Sequence, residues 1–178
     1  MGAFIDDESN KSDATVATII KGGSVPTAVD MFGGVYQLKR LKKITDEVLA
    51  TVDAIVMPTT SNHYTIAELA NKPIELNSNM GYYTNFVNLL DYSAVAIPAG
   101  FTTKGLPFGV TLFADHLQDK FLQQISQRYF SIKSWGMGAT GADMPLNHKS
   151  TTTSDHYIEI AVCGAHLSNM PLNHQLLD

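Results

Sequence analysis

GYYTNFVNLLDYSAVAIPAGFTTKGLPFGVTLFA, residues 81–114, has the pattern of one short helix followed by two apolar strands and a turn with glycine and proline. Within it, residues 93–98 (SAVAIP) and residues 108–114 (FGVTLFA) are apolar at nearly every position, which is typical of strands buried on both faces of a sheet. Gly105 and Pro107 lie between the two runs, where a sharp reversal of the chain needs such residues. The stretch therefore predicts a hairpin of two central strands, which need neighbouring strands.

A long helix and a short strand are predicted upstream of this hairpin. Thr27 and Asp30 have the spacing of a capping box at the start of the helix. Apolar side chains then recur every three or four residues and predict a single packing face: Met31, Val35, Leu38, Leu41, Ile44, Val48 and Val52. Residues 53–58 (DAIVMP) follow as a short buried strand. A helix followed by a strand is the order of an α/β fold.

Three shorter helices are predicted on either side of these elements. Residues 14–23 end a helix at a glycine, and residues 65–70 begin with a second capping-box pair, Thr65 and Glu68. A last amphipathic helix begins near Asp119. Its inward side chains are expected to be Phe121, Leu122, Ile125 and Tyr129.

A polar row marks the short helix that follows a turn predicted over residues 79–82. The apolar face of this helix comprises Tyr83, Phe86, Val87 and Leu90. Its polar face comprises Thr84, Asn85, Asn88 and Asp91. These neutral polar groups can bind a small polar ligand, or they can satisfy backbone groups of nearby loops, and the pattern leaves both interpretations open.

Composition excludes several classes of function. Of the 178 residues, 44% are apolar and 16% are charged, which predicts one folded domain, or one domain and the beginning of another. The net charge of -5 predicts neither a nucleic-acid partner nor a membrane partner. No apolar run reaches the ~18 residues of a membrane span, and no basic targeting segment is present, so we expect a cytoplasmic protein. Apolar neighbours predict that Cys163 is a buried strand thiol.

Motifs for common active sites are absent from the sequence. No G-x-S-x-G motif marks a nucleophilic serine, and no glycine-rich loop of the phosphate-binding type occurs. The 6 histidines form no H-E-x-x-H pair, and the single cysteine has no partner for a tetrahedral site. We therefore predict neither a metal nor a cofactor.

The hairpin nevertheless resembles a known family. Residues 94–114 are similar to the C-terminal signature of the amidase-signature family, a V-P-x-G strand followed by a G-L-P-x-G hairpin. The segments VDAIVMPTT, HYTIAEL, LNS and GYYTNFVNLLDYSAVAIPAGF resemble, in the same order, the allophanate hydrolases of that family. The resemblance runs from about residue 14 to residue 178. It implies an α/β chain with a partial amidase-signature fold, a mixed sheet flanked by helices.

The resemblance also implies a division of the chain into three segments. Residues 1–130 correspond to the C-terminal third of an amidase-signature domain. Residues 131–154, rich in glycine, serine and threonine, are expected to be a linker. Residues 155–178 correspond to the first strand and turn of a second, truncated domain.

No catalytic residue is assigned to this chain. The family uses a serine nucleophile, a second serine on a cis peptide bond and a lysine, all of which would lie upstream of Met1. The chain alone is therefore expected to be inactive.

Substrate-binding residues are, in contrast, expected within the chain. Family members bind a small planar anion partly with a tyrosine and a basic residue near the long helix, and the resemblance places Tyr36 and Lys43 in these roles. Lysine lacks the bidentate fork that arginine offers to a carboxylate. The polar row adds Thr84, Asn85 and Asn88 as candidate pocket residues.

A second candidate site lies in the GAHLSN turn of residues 164–169. The resemblance places this turn near the pocket of the second domain, with Gly164, His166 and Asn169 as its candidate residues. Backbone N–H groups of such a turn can bind an anion. Asn169 stands where relatives usually have glycine.

The resemblance implies an amidohydrolase that converts allophanate towards ammonia and carbon dioxide in urea degradation, with allophanate as the ligand of the longer parent protein. A different class of function remains open. The chain can instead be a non-catalytic remnant or interaction module whose exposed sheet edge pairs with a partner chain or with a second copy.

Overall fold

The computed structural model describes residues 5–7, 13–132, 136–143, 162–170 and 172–177. The chain divides into two compact units, Met1–Asp143 and Met144–Asp178. The strand predicted for the second domain runs to Val162; its residues up to 161 lie outside the described residues, and Val162 has no regular secondary structure. Most of the predicted linker also lies outside them, and the division into three segments stays a prediction.

In the described residues of the first unit, helices and strands follow the order that the sequence predicts, with an α-helix at Pro73–Met80 and a 3-10 helix at Gly138–Thr140 in addition. In chain order the elements are α1 (Ala14–Gly22), α2 (Ala28–Leu49), β1 (Ile55–Pro58), α3 (Ile66–Asn71), α4 (Pro73–Met80), α5 (Asn85–Leu89), β2 (Ser93–Phe101), β3 (Pro107–Ala114) and α6 (Asp119–Ile132).

Both predicted capping boxes are confirmed. The Thr27 amide donates to Asp30 Oδ2 at 2.8 Å, and the Asp30 amide donates back to Thr27 Oγ1 at 3.3 Å. Thr65 and Glu68 repeat this exchange at the start of α3, with distances of 2.8 and 3.2 Å. Each box satisfies amide groups that a helix start otherwise leaves without partners.

Helix α4 is the α-helix that the sequence analysis missed. Its first residue is Pro73, whose missing N–H costs nothing at a helix start, and Glu75 adds an acidic side chain in the first turn. The predicted turn over residues 79–82 is displaced as a result, because Asn79 and Met80 still belong to the helix and the turn occupies residues 81–84.

The three strands form an antiparallel sheet in the order β1-β3-β2. The predicted hairpin is confirmed, and Gly105 at its turn has a φ of 76°, which a glycine adopts without strain. Strand β3 is central, with Ile55 opposite Phe113 on one side and Ser93 opposite Ala114 on the other.

Helices cover both faces of the sheet but leave part of one face open. One buried cluster joins α2, α5 and the sheet through Leu49, Val87, Leu90, Tyr92 and Phe113. The other joins α6 and the opposite face through Ile97, Leu112, Ala114 and Leu122.

Strand β2 therefore differs from its prediction. Its side chains alternate, with Ser93 and Ile97 buried and Ala94, Ala96 and Pro98 exposed, so it is not buried on both faces. Ala94 and Ala96 lie on the same face of the sheet as their partners Phe113 and Thr111. On this face α2 and α5 pack over β1 and β3 and leave β2 uncovered. Strand β1 is also only partly buried, because it is the other outer strand of the described sheet.

The packing face of α2 is another correction. Leu38 packs on the core as predicted, but Leu41, Ile44 and Val48 have exposures of 42%, 51% and 55%. The side of the helix that turns inward carries Leu38, Lys42, Thr45, Asp46 and Leu49. Polar contacts with Tyr92 account for this rotation and are described below.

The second unit is described over residues 162–170 and 172–177, where a 3-10 turn spans Asn173–Leu176. Cys163 is exposed and has no regular secondary structure, so the prediction of a buried strand thiol is wrong. The apolar run before it favoured a strand, but the residue precedes the reversal at Gly164.

In the part of the chain that the structure describes, no helix is both long and apolar enough to cross a membrane.

Candidate functional site

Helix α2 presents the two predicted ligand-binding side chains on one side. Tyr36 and Lys43 are two turns apart, which places them on nearly the same side of the helix and about 10 Å apart along its axis. Tyr36 is 67% exposed and Lys43 is exposed. Lys43 makes no ion pair or hydrogen bond within the described residues, so its ammonium group is available to a ligand.

An open recess of about 490 Å³ runs along the same part of α2. We name it the basic recess, and its lining residues are Lys39, Lys42, Lys43, Asp46, Glu47 and Ala50. Lys42 is neutralised by Asp46, since Lys42 Nζ lies 3.1 Å from Asp46 Oδ1. Two lysines therefore remain against one glutamate, and the recess carries a net positive charge that suits a small anion.

A polar network with Tyr92 at its centre fixes the inner side of α2. The Tyr92 hydroxyl donates to Asp46 Oδ1 at 2.7 Å and lies 2.6 Å from Thr45 Oγ1. Lys42 Nζ also sits 4.4 Å from the centroid of the Tyr92 ring, within the range of a cation–π contact. These contacts engage Lys42 but leave the next residue, Lys43, outside the network.

The pKa values of two side chains in the network, Tyr92 and Lys42, are both raised. Burial raises the pKa of Tyr92 above its ordinary value. Partial burial acts to lower the pKa of Lys42, but the hydrogen bond and charge of Asp46 outweigh it, and the pKa of Lys42 is raised. At neutral pH the phenol of Tyr92 is therefore neutral and the amine of Lys42 is protonated.

Helix α5 carries the other predicted group. Thr84 is half-buried and does not cap the helix that it precedes, whereas Asn85 and Asn88 are exposed. Neither carboxamide makes a hydrogen bond to any residue that the structure describes. The amide groups of Asn85 and Asn88 are therefore available for a ligand.

The two predicted groups are brought onto the same face of the sheet but not into contact. Tyr36 and Lys43 belong to α2, and the polar row belongs to α5. Both helices contribute to the cluster around Phe113. Across the described ranges no hydrogen bond or ion pair joins the side chains of the two groups directly. Their connection runs through Tyr92.

A second cavity, of about 650 Å³, lies at the bulged end of the hairpin. Its walls include Thr59, Thr60, Phe101 and Phe108, and none of the described residues that line it is charged. Both threonine hydroxyls are engaged, that of Thr59 with Thr111 at 3.0 Å and that of Thr60 with the Asn62 carbonyl at 3.1 Å. The described part of its wall therefore offers no charged side chain to an anionic ligand.

Several serine hydroxyls are committed to structural hydrogen bonds. Ser93 Oγ lies 3.2 Å from an oxygen of Asp119, to which it donates. Donors to backbone carbonyls are Ser24, Ser61, Ser126 and Ser131. Within the described ranges no serine hydroxyl is hydrogen-bonded to the side chain of a lysine or histidine, the arrangement that activates a serine nucleophile.

The GAHLSN turn is held by contacts within its own unit. Gly164 and Asn169 both have positive φ, 106° and 67°. Asparagine tolerates this conformation better than most side chains. His166 Nε2 lies 3.2 Å from Gln175 Oε1, and Asn173 donates to the His166 carbonyl at 2.8 Å. The predicted anion-binding role of Gly164, His166 and Asn169 stays a prediction.

Metal-binding chemistry finds no support among the described residues, where histidine, cysteine and carboxylate side chains do not gather in groups of three or more.

Sequence reasoning missed the role of Tyr92 and Asp46. The four-residue spacing of Lys42 and Asp46 is a signal for an ion pair on a helix. The contact of Asp46 with Tyr92 spans 46 residues of sequence, and no local pattern reports it.

Comparisons with known proteins agree with the resemblance of the hairpin. Residues 9–122 match the family described as Amidase. The chain is 35% identical to the urea amidolyase of Saccharomyces cerevisiae over 98% of its own length and 10% of that protein. It is 36% identical to the urea amidolyase of Lachancea kluyveri over 92% of its length and 10% of that protein. The chain thus spans about a tenth of the length of these curated relatives.

Solved structures give the same result. The crystal structure of the K. lactis urea amidolyase superimposes with a TM-score of 0.72 at 32% identity, covering 92% of this chain and 10% of that one. A Kluyveromyces lactis allophanate hydrolase gives a TM-score of 0.71 at 32% identity, covering 92% of this chain and 28% of that one. The fold is therefore a part of the amidase-signature fold.

Proposed function

This chain belongs to the amidase family, and from that premise we propose that it supplies substrate-binding residues to an amidohydrolase that acts on allophanate in cytoplasmic urea degradation. The names of the relatives support this substrate, since they are urea amidolyases and an allophanate hydrolase. The overall reaction is hydrolysis of allophanate towards ammonia and carbon dioxide.

The basic recess is the observation that carries the proposal. Allophanate is small, planar and anionic, and its carboxylate needs a cationic partner. Lys43 is an exposed lysine of this recess, lies outside the Tyr92 network and shares one side of α2 with Tyr36, two turns away. Its ammonium group pairs with the carboxylate, and the Tyr36 ring offers a flat surface to the planar body of the substrate.

Carboxamides are suited to the rest of the substrate. The urea-like portion of allophanate presents both N–H donors and carbonyl acceptors, and a carboxamide has both complementary groups. Asn85 and Asn88 fulfil this requirement, because their side chains are exposed and make no hydrogen bond within the described part of the chain. Thr84 adds a hydroxyl at the start of α5.

We further propose that the serine nucleophile and its lysine base are supplied from outside this chain. The support is that the hydroxyls of Ser24, Ser61, Ser93, Ser126 and Ser131 are bonded to carbonyls or a carboxylate. Residues 1–130 then provide one side of the amidase site, residues 131–154 act as a linker, and residues 155–178 begin a second domain.

A chimaeric enzyme tests this function. In this protein, which we call the replacement enzyme, the chain takes the place of the segment of the Saccharomyces cerevisiae urea amidolyase with which it aligns. Ammonia release from allophanate is then measured. We expect turnover, and we expect Lys43→Gln to raise KM about tenfold with little change in kcat, because a ground-state ionic contact is lost. Lys104→Gln, on the exposed hairpin turn, is the matched control. Equal kinetics for the two variants contradict the role of Lys43.

A second function is favoured by the exposed apolar side chains of α2. Val29 and Phe32 are 80% and 57% exposed, in addition to Ile44 and Val48. β1 and β2 are the outer strands of the described sheet. Such surfaces favour an interaction module that pairs with a partner chain or with itself. Sedimentation velocity of the purified chain tests this, and a monodisperse monomer at all concentrations contradicts self-association.

A further inference from the structure

Tyr92 occupies the junction between the two groups of candidate substrate-binding residues. Its backbone amide donates to the Val87 carbonyl at 3.0 Å, which closes the C-terminal end of α5. Its side chain extends the other way, to the inner side of α2. One residue therefore contacts the helix that carries Asn85 and the helix that carries Lys43.

The Tyr92 side chain is held at its ring and at its hydroxyl. Phe113 stacks on it with an interplanar angle of 22° and a centroid distance of 6.3 Å, and Lys42 Nζ lies against the ring at 4.4 Å. The hydroxyl is bonded to both Asp46 and Thr45. With only 8% of its surface exposed, the side chain has no alternative position that preserves these contacts.

These contacts determine the rotation of α2 about its own axis. Three residues on the inner side of α2, Lys42, Thr45 and Asp46, all contact Tyr92. A helix rotates by about 100° per residue, so fixing Lys42 inward directs Lys43 to the exposed flank. Tyr36 follows on the same flank, two turns earlier. If α2 were rotated so that its predicted apolar face turned inward, the side chains of Lys43 and Tyr36 would move away from this exposed flank.

We propose that Tyr92 is a positioning residue that couples α2 to α5, so that Lys43 and Tyr36 face the same substrate as Asn85 and Asn88. The proposal rests on the proposed function for its substrate and on the contacts of Tyr92 for its geometry. Tyr92 does not touch the substrate. It acts by setting the orientation of one helix relative to the other.

Hydrogen exchange on the chain itself tests the coupling without any assay of activity. Tyr92→Phe keeps the ring and removes the hydroxyl, and Asp46→Ala removes its partner on α2. We expect Asp46→Ala to speed exchange of the Leu90 amide, which closes α5, roughly threefold or more, because α5 loses a fixed neighbour. In the Tyr92→Phe background Asp46→Ala should have no further effect.

The control for exchange is Leu122→Val, which removes one methylene group from the other core cluster. It lowers global stability without touching the network, so it should leave the ratio of α5 exchange to exchange elsewhere unchanged. An α5 exchange rate that is insensitive to Asp46→Ala overturns the coupling. Equal effects of Asp46→Ala with and without the Tyr92 hydroxyl overturn it as well.

Kinetics of the replacement enzyme test the consequence for substrate. Tyr92→Phe should raise KM for allophanate about fivefold and leave kcat within about twofold, because misplaced binding groups weaken ground-state binding. Leu122→Val should change neither constant. Unchanged KM in Tyr92→Phe overturns the positioning role. An inactive unsubstituted replacement enzyme contradicts the proposed function and its substrate, whereas hydrogen exchange still decides whether Tyr92 couples the helices.

Discussion

The carboxamide of Asn85 lies directly over Gly81, so close that a Cβ atom at position 81 would collide with it. Gly81 also accepts the backbone hydrogen bonds of Thr84 and Asn85, at 2.9 and 2.8 Å. The turn before α5 therefore places the Asn85 carboxamide where it must move if residue 81 carries a Cβ atom.

Gly81→Ala is expected to displace the Asn85 carboxamide and to give a less favourable change in stability than Gly33→Ala, because the Asn85 side chain must leave its position. In the replacement enzyme it should also raise KM for allophanate. Urea denaturation and steady-state kinetics measure the two effects. Gly33→Ala is the control, because a Cβ there meets nothing within 4 Å and alanine favours a helix interior by about 1 kcal/mol. Equal stability changes in the two variants would argue against the Asn85 contact.

Lys43→Arg is expected to strengthen binding of allophanate in the replacement enzyme. A guanidinium group offers two parallel N–H donors to a carboxylate where an ammonium group offers a point charge. We expect KM to fall about threefold or more at unchanged kcat, on the scale of one additional charge-assisted hydrogen bond. Lys104→Arg should have no effect. A KM that rises or stays constant in Lys43→Arg contradicts carboxylate binding at this position.

Stability should decrease at alkaline pH because of Lys42 and Tyr92. Folding raises the pKa of both groups above their ordinary values of 10.5 and 10.0. The folded state thus holds these protons more tightly, and the stability they contribute is complete below about pH 10 and lost as pH rises through the folded pKa values. Chemical denaturation at several pH values between about 8 and 11 measures the decrease.

The double variant Lys42→Met, Tyr92→Phe is the matched comparison for the alkaline series. It lacks both titrating groups, so its stability should vary less with pH over the same interval. If the free energy of unfolding of the double variant fell with pH as steeply as that of the unsubstituted chain, the loss of stability at alkaline pH would come from other residues.

The capping boxes should produce a loss of stability at acid pH. The hydrogen bonds from the Thr27 side chain and amide lower the pKa of Asp30, and those from the Thr65 amide and side chain lower the pKa of Glu68. Their contribution is present above the ordinary values of 3.8 and 4.5 and is lost as pH falls through the folded pKa values.

Thermal melting of Thr27→Ala and Thr65→Ala as a function of pH checks this acid dependence. Both variants should be less stable near neutral pH and should lose less on acidification. Thr18→Ala is the control, since its hydroxyl donates to the Ala14 carbonyl and contacts no carboxylate. A steeper acid loss in the capping variants would contradict the sign of these pKa shifts.

Local signals in the sequence predicted much of the fold. The apolar runs and Gly105 predicted the β2–β3 hairpin, and the threonine–carboxylate spacings predicted the starts of α2 and α3. Each of these features depends on residues a few positions apart. The resemblance of residues 94–114 to a family was confirmed by the match of residues 9–122.

Features that depend on distant partners were predicted less well. The apolar spacing along α2 indicated a face through Ile44 and Val48, but Tyr92 and Phe113 turn the helix towards Lys42 and Asp46 instead. Ala94 and Ala96 are apolar and yet exposed, because apolarity does not report which part of a sheet is covered. Tertiary contacts decide both cases, and a sequence pattern does not contain them.

The most direct test of the central claim is ammonia release from allophanate, measured side by side for the purified chain and for the replacement enzyme that contains it. The account predicts turnover by the replacement enzyme and, for the chain alone, no release above the rate in buffer. Turnover by the chain alone contradicts a nucleophile supplied from outside, and a folded replacement enzyme without activity contradicts a role for this chain in allophanate hydrolysis.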